Sequence, residues 1–360
     1  MNLHFILGLI FVLPFIIFSF PNPIVKSQLQ LKHIYHHGYR NDDHYLLRTE
    51  LKSNTKRFEI NFEKFDPKDK QTILSMAEIS YNTYENRNTS HEWKSIYGYN
   101  VTGDFGWEND GMRGYIYATD NFEIIILAVK GTSLKFLDIE GPTSDKDQQM
   151  DNLMFSCCCA RVNSRWETVC DCYRGLTYVV SPDKTDNICY KECLSYTMQN
   201  SLSYFKHAES IYLQLKKDYP RSTIYTTGHS LGASVVSILS YKYNLTAICF
   251  ESPGEFLYAS RLGLIDNNHI KTSKIYHYGN DADPIFIGSC NGPLSTCSIS
   301  GYAMETKCHI GNVCTYELNL PTSVTFHTLS YVINNVIKTM NVPNCKEQID
   351  CVDCDNWNFI

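Results

Sequence analysis

The chain has 360 residues and a net charge of −6, enough for one large α/β domain with decoration; no internal repeat is visible, and the lack of basic blocks argues against nucleic acid as a partner. Its 25 Tyr and 18 Phe suit either a large core or an apolar substrate surface. Fifteen cysteines in an otherwise ordinary composition argue for disulfides and an oxidising compartment.

The first charged side chain is Lys26, after an apolar stretch from Phe5 to Phe20 interrupted only by Gly8, Pro14 and Ser19. Sixteen residues match a signal-peptide core, whereas the 21 from Phe5 to Val25 just span a bilayer. Pro21 and Pro23 crowd a poor cleavage site, so an uncleaved anchor with a lumenal body is expected, although Lys26, Lys32 and Arg40 lie on the unfavourable side for that orientation. Residues 1–25 are therefore read as a cytosolic tip and signal-anchor of a single-pass type II membrane protein. Residues 26–65, with His33, His36 and His37 among poorly periodic charged sequence, read as a lumenal stalk whose histidines are solvated, not metal-bound.

From about residue 66 the pattern becomes globular, and a domain over 66–342 is expected. Asp69 to Tyr81 has helical spacing of apolar positions, and Gly114–Ala118 and Glu123–Val129 read as strands around the turn Thr119-Asp120-Asn121. Residues 134–194 form a cysteine-rich insertion, Ser195 to Asp218 a long amphipathic helix ending at Pro220, and Ser222–Thr227 a strand. The strands Thr246–Phe250 and Ser273–Tyr278 follow. This alternation predicts a mostly parallel sheet with helices on both faces.

Between strand and helix stands Gly228-His229-Ser230-Leu231-Gly232, a G-x-S-x-G followed by the small-residue run Ala233–Leu239. A strand, a turn tight enough to need glycines and a helix form the context of a nucleophile elbow, with Ser230 thrust up at the sheet edge. A serine nucleophile needs a base and an acid, in the chain order Ser, Asp or Glu, His. Asp281 and Asp283 both lie on the loop after a strand; Asp283 is preferred because Pro284 stiffens it. His327 opens the last apolar helix and is the preferred base; His277 within a strand and His309 beside Cys308 read as structural. For the oxyanion hole, the backbone N–H of Leu231 follows the nucleophile, and the turn Val129-Lys130-Gly131-Thr132-Ser133 can supply a second donor.

The cysteines fall into two groups of seven: Cys157, Cys158, Cys159, Cys170, Cys172, Cys189 and Cys193, then Cys290, Cys297, Cys308, Cys314, Cys345, Cys351 and Cys354. Cys249, in an apolar strand, reads as an inert thiol. Zinc would need a second paired spacing beside Cys351-x-x-Cys354 and Cys170-x-Cys172, and none completes a site. An odd number cannot pair wholly within itself. If the fourteen are all bridged, at least one disulfide joins the insertion to the region carrying or flanking His327; residues 343–360 read as a cysteine-rich tail. Three sequons, at Asn88, Asn100 and Asn244, mark candidate glycosylation sites.

Taken together, the Gly-His-Ser-Leu-Gly elbow, the upstream strand ending Lys130-Gly131-Thr132-Ser133 and the later Asp283-Pro284-Ile285 resemble the class 3 (fungal-type) lipases. Asp151 to Ala160 with its Cys triplet, Phe250-Glu251-Ser252-Pro253-Gly254, Gly301 to Glu305, Cys351 to Cys354 and Leu31 to Gly38 are similar to the fungal autophagy-related vacuolar lipases within that class. The resemblance implies an α/β-hydrolase fold with a lid-like insertion and an N-terminal anchor. It further implies a serine lipase and phospholipase with catalytic Ser230, Asp283 and His327, and an oxyanion hole at Thr132 and Leu231, without metal or cofactor. Its substrates would be phospholipids and neutral lipids of autophagic and multivesicular-body membranes, reached through the endoplasmic reticulum and Golgi and degraded in the vacuole lumen. A membrane-tethered carboxylesterase or peptidase on the same fold and a non-catalytic cysteine-rich binding protein are the alternatives.

Overall fold

The five apolar runs read as strands lie side by side in one eight-stranded sheet, which three further strands, at Asn100–Phe105, Asn312–Tyr316 and Cys345–Glu347, extend at its two edges. The computed structural model describes residues 65–108, 111–133, 143–161, 166–174, 187–201, 203–265, 274–292 and 294–360. All belong to the second of the chain's two compact units, Asp42–Ile360. Among the described residues no helix is long and apolar enough to cross a membrane, and the segments expected as anchor (1–25) and stalk (26–65) lie outside them but for Phe65. The expected localisation, a single-pass type II membrane protein with a lumenal body delivered to the vacuole, is corrected on that ground.

Helix α1 (Lys70–Asn82) begins at Asp69, whose carboxylate accepts from Thr72 N at 2.8 Å, satisfying an otherwise unpaired first-turn donor. The hairpin strands β1 (Asn100–Phe105), β2 (Gly114–Ala118) and β3 (Ile124–Val129) follow, then α2 (Ser144–Phe155), β4 (Tyr173–Arg174), β5 (Ile188–Cys189), α3 (Lys191–Asn200) and α4 (Tyr204–Asp218). The chain continues through β6 (Thr223–His229), α5 (Leu231–Tyr243), β7 (Thr246–Phe250), α6 (Phe256–Arg261) and β8 (Ile275–Asn280). It finishes with α7 (Thr296–Ile299), β9 (Asn312–Tyr316), a 3-10 turn at Val324–His327, α8 (Leu329–Tyr331) running into a π-helical turn, β10 (Cys345–Glu347) and β11 (Asn358–Phe359).

The sheet order is β1-β2-β3-β6-β7-β8-β9-β10. The pairings from β3 to β9 are parallel and those of the outer strands antiparallel. Central strands are apolar on both faces, as β3 is from Ile125 to Val129, because helices cover both sides. One face packs Ile73, Met76 and Ile79 of α1 with Val332, Ile333 and Val336. The other packs Val235, Ile238 and Leu239 of α5 with Tyr212 and Leu215 of α4 and Tyr258 of α6. Each such aliphatic side chain contributes about 1.5–3 kcal/mol by its burial. At the open edge, β1 alternates exposed and half-buried residues, as a strand wetted on one side should.

The expected single helix from Ser195 to Asp218 is instead two. Ser201 Oγ donates to Met198 O at 3.2 Å and Ser203 Oγ accepts from Lys206 N at 3.4 Å, so the serines end α3 and cap α4 by competing for backbone groups.

Seven disulfides join the fourteen grouped cysteines, and buried Cys249 is free. Cys158–Cys189, Cys159–Cys170 and Cys172–Cys193 lie within the first group, and Cys290–Cys297, Cys308–Cys351 and Cys314–Cys345 within the second. Cys157–Cys354 crosses between them. The same tail adds β11 parallel to β5, which pairs antiparallel with β4 in a small second sheet.

Candidate active site

β6 delivers His229 to the sheet edge, α5 departs at Leu231, and Ser230 between them is forced to φ 54° and ψ −129°. A left-handed φ on a residue with a Cβ costs about 1–3 kcal/mol and persists only where the surroundings hold it. Here they do: Ser230 N donates to Phe250 O on β7 at 3.0 Å, and Ser230 O accepts from Ser234 N at 3.2 Å. The flanking glycines are steric necessities. A Cβ on Gly228 would lie 2.7 Å from Gly232 C, and one on Gly232 would strike the carbonyls of Val129 and Lys130.

His327 and Asp283 arrive from 97 and 44 residues away in pairwise separation. His327 Nε2 lies 2.9 Å from Ser230 Oγ, and its Nδ1 lies 2.7 Å from Asp283 Oδ2. Because a carboxylate only accepts, Nδ1 carries the proton and Nε2 is free to accept from the serine hydroxyl. All three side chains are buried. Asp283 Oδ1 also accepts from Ile285 N at 2.9 Å, fixing the carboxylate plane. His327, expected to open the last apolar helix, ends the 3-10 turn that leads into α8.

The rival residues face elsewhere. Asp281 Oδ1 accepts from Leu318 N at 2.7 Å. His277 Nε2 and His309 Nδ1 pair with the two oxygens of buried Glu255 at 3.1 and 3.2 Å. Burial pushes the Glu255 carboxyl up, but the two histidines outweigh it and hold the group below the usual carboxylate range. The ligand atoms of Glu255, His277 and His309 lie within 4.8 Å of one another, close enough to hold a metal. They are already satisfied by protein: Ser252 Oγ is 2.6 Å from His277 Nδ1, and Ile310 N donates to Glu255 at 3.0 Å.

The proposed oxyanion turn lies directly against the elbow, since a Cβ on Gly131 would be 3.0 Å from Ser230 Cβ. Thr132 is buried and its hydroxyl donates to Asp151 Oδ2 of α2 at 2.7 Å. Lys130 Nζ donates to Asp147 Oδ2, also on α2, at 3.2 Å. Helix α2 thus fixes the turn from outside. Leu231 begins α5 and is buried beside Ser230. Asn88, Asn100 and Asn244 are all exposed.

Three supporting groups were not singled out from the sequence. Tyr84 OH lies 2.6 Å from His229 Nδ1, and His229 Nε2 lies 2.8 Å from the main-chain carbonyl of His327. A carbonyl cannot donate, so Nε2 carries the proton and Nδ1 accepts from the tyrosine. Burial first, then the neighbouring His327, lower the His229 pKa well below its ordinary value, keeping it in this neutral form. Glu251 is the third, buried behind Asp283. His229 stood within the elbow motif and Glu251 within the block Phe250–Gly254 that carries the resemblance, though neither was given a role; Tyr84 carried no local signal beyond its residue type.

No protein-family model matches the chain. Curated proteins named "Putative lipase ATG15" from Vanderwaltozyma polyspora and Pichia angusta are each 39% identical to it, over 307 and 302 residues, and one from Saccharomyces cerevisiae is 38% identical over 304. These alignments cover 81–82% of this chain and 53–56% of the relatives, so the chain spans about half the length of the proteins it matches. A solved structure, the Lip2 lipase from Yarrowia lipolytica, matches 68% of this chain and 77% of its own at 13% identity and a TM-score of 0.35, a likeness too loose to carry weight.

Proposed function

We propose that this chain, a homologue of the ATG15 lipases over the part of them it spans, is a serine lipase that hydrolyses acyl esters of membrane phospholipids and neutral lipids. The observation that carries the reading is the relay Ser230–His327–Asp283, at 2.9 and 2.7 Å on a strained elbow. Ser230 Oγ attacks the acyl carbonyl while His327 Nε2 takes its proton, and Asp283 holds the imidazolium in register. The backbone N–H groups of Leu231 and Thr132 stabilise the developing oxyanion. Collapse expels the alcohol, protonated by His327, and leaves an acyl-enzyme. Water, deprotonated by His327, then releases the fatty acid and restores the serine.

The cysteine-rich insertion is read as the lid-like part of the domain, with α2 seated on the oxyanion turn through Asp147 and Asp151. Asn88, Asn100 and Asn244 are read as glycan acceptors, for which their exposure leaves room.

Labelling with a fluorophosphonate tests the nucleophile. The reading predicts one modified residue, Ser230, found by peptide mapping, with no labelling of Ser230→Ala. Labelling elsewhere, or none in folded protein, would reject the hydrolase in favour of a binding scaffold.

A further inference from the structure

Immediately after β7, Glu251 stands at a left-handed φ of 45°, where a glycine would fit without strain. Instead the chain places a long acid there and buries it completely. Asn280 donates to both of its oxygens, from N to Oε2 at 3.1 Å and from Nδ2 to Oε1 at 2.8 Å. The same Nδ2 donates to the carbonyl of Phe326, the residue before His327, at 3.0 Å. On its other side Glu251 faces the carboxyl of Asp283, the charged group that acts on it most.

Two carboxyls in such contact away from water do not both ionise, because the like charges repel and each loses its solvation. Each carboxyl accepts two hydrogen bonds, but both of Glu251's come from the neutral Asn280, whereas one of Asp283's comes from the His327 ring that carries positive charge during turnover. The proton between them therefore resides on Glu251. We propose that Glu251 is a positioning residue of the relay, a neutral acid that donates its proton to Asp283 and, through Asn280, ties the Asp283 loop to the turn carrying His327. This rests on the triad reading above.

The electrostatics agree. Burial first and the Asp283 charge second push the Glu251 carboxyl well above its ordinary range, opposed only by the Asn280 donors. The other titratable neighbour is Tyr316 on β9, itself pushed up by burial and then by Glu251. No Lys or Arg is among the groups acting on Glu251. A folded-state value raised above the unfolded one stabilises the fold fully below the ordinary glutamate range, and that contribution is lost as pH rises toward the raised value. Above it two carboxylates would face each other and Asp283 would lose a donor. Turnover should fall there without a matching change in KM.

The test compares the full chain with Glu251→Gln and Glu251→Ala, reading the Ser230 labelling rate, kcat and KM on a soluble ester across acid to alkaline pH. Glutamine keeps a neutral donor toward Asp283 but gives up one of the two acceptors for Asn280, so Glu251→Gln should retain kcat within about tenfold and keep it at alkaline pH where the parent loses it. Glu251→Ala should lower kcat about 10- to 100-fold with KM unchanged, the cost of one hydrogen bond to a charged group. A folded Glu251→Gln that is inactive at all pH, or that reproduces the parent's alkaline loss, overturns the proposal. If Glu251→Ala does not fold, the parent and glutamine profiles decide alone. A parent chain that does not label at Ser230 sinks the triad reading and this proposal together, whereas normal labelling with an inert Glu251→Gln sinks only the latter.

Discussion

Two positions separate Asp281 from Asp283, and their carboxylates serve different ends. Asp281 accepts from Leu318 N and Asn319 N at 2.7 and 3.4 Å and so holds a loop; Asp283 accepts from His327 Nδ1 at 2.7 Å and so holds the base of the proposed triad. Asp283→Asn should accordingly cut turnover by about 10⁴, the loss seen when the analogous acid of a serine protease is replaced and the imidazole adopts the wrong tautomer. Asp281→Asn should cost no more than about 1–2 kcal/mol of stability and leave turnover nearly intact. Steady-state kinetics with thermal unfolding of both variants checks the contrast, and equal losses in turnover would mean that loop shape, not Asp283, matters. The preference for Asp283 over Asp281 was drawn in the sequence from Pro284, and it is Asp283 that lies 2.7 Å from His327 Nδ1. The tautomer of His229 and the buried proton of Glu251 were not, because each is defined by partners about 30 to 150 residues away that meet only in the folded chain.

Among the elements, the elbow was legible because its chemistry is local: strand, glycine, serine and helix are consecutive. The division of the expected long helix into α3 and α4 was not, since apolar spacing continues across Ser201–Ser203 and only the side-chain bonds of the serines reveal the break. The disulfides lie between these cases. Counting seven and seven required a bridge between groups, but the choice of Cys157 and Cys354 depends on how the tail lies against the insertion. That bridge works together with β11, where Asn358 N donates to Asn187 O at 2.7 Å and Lys191 N donates to Ile360 O at 2.8 Å. Replacing Cys157 and Cys354 together by serine should speed hydrogen exchange at Asn358, Ile360 and Lys191 while β6 and β7 stay protected, because local opening of the small sheet need not open the main one. Loss of about 2–5 kcal/mol is the expected scale. Uniformly faster exchange through the central strands would show that the bridge supports the whole domain.

At the scale of the molecule, strand periodicity and the βα alternation implied a doubly covered, mostly parallel sheet, which the structure has. The parallel strands bring Ser230, Asp283 and His327 to the same edge, because each follows or flanks a strand whose carboxyl end points there. The reading that failed concerned the membrane. It rested on the apolar length of residues 5–25, a pattern that two kinds of segment share, and on a cleavage site judged poor beside Pro21 and Pro23; no described helix has the length and apolarity to cross a bilayer. What the whole domain does with a lipid surface is the claim on which the account turns. The most direct measurement is fatty-acid release from phospholipid liposomes and from a soluble short-chain ester by the purified chain and its Ser230→Ala variant. Release from both substrates is expected, faster from liposomes, and none with Ser230→Ala in folded protein. Undiminished release by Ser230→Ala, or hydrolysis of the soluble ester alone, would contradict it.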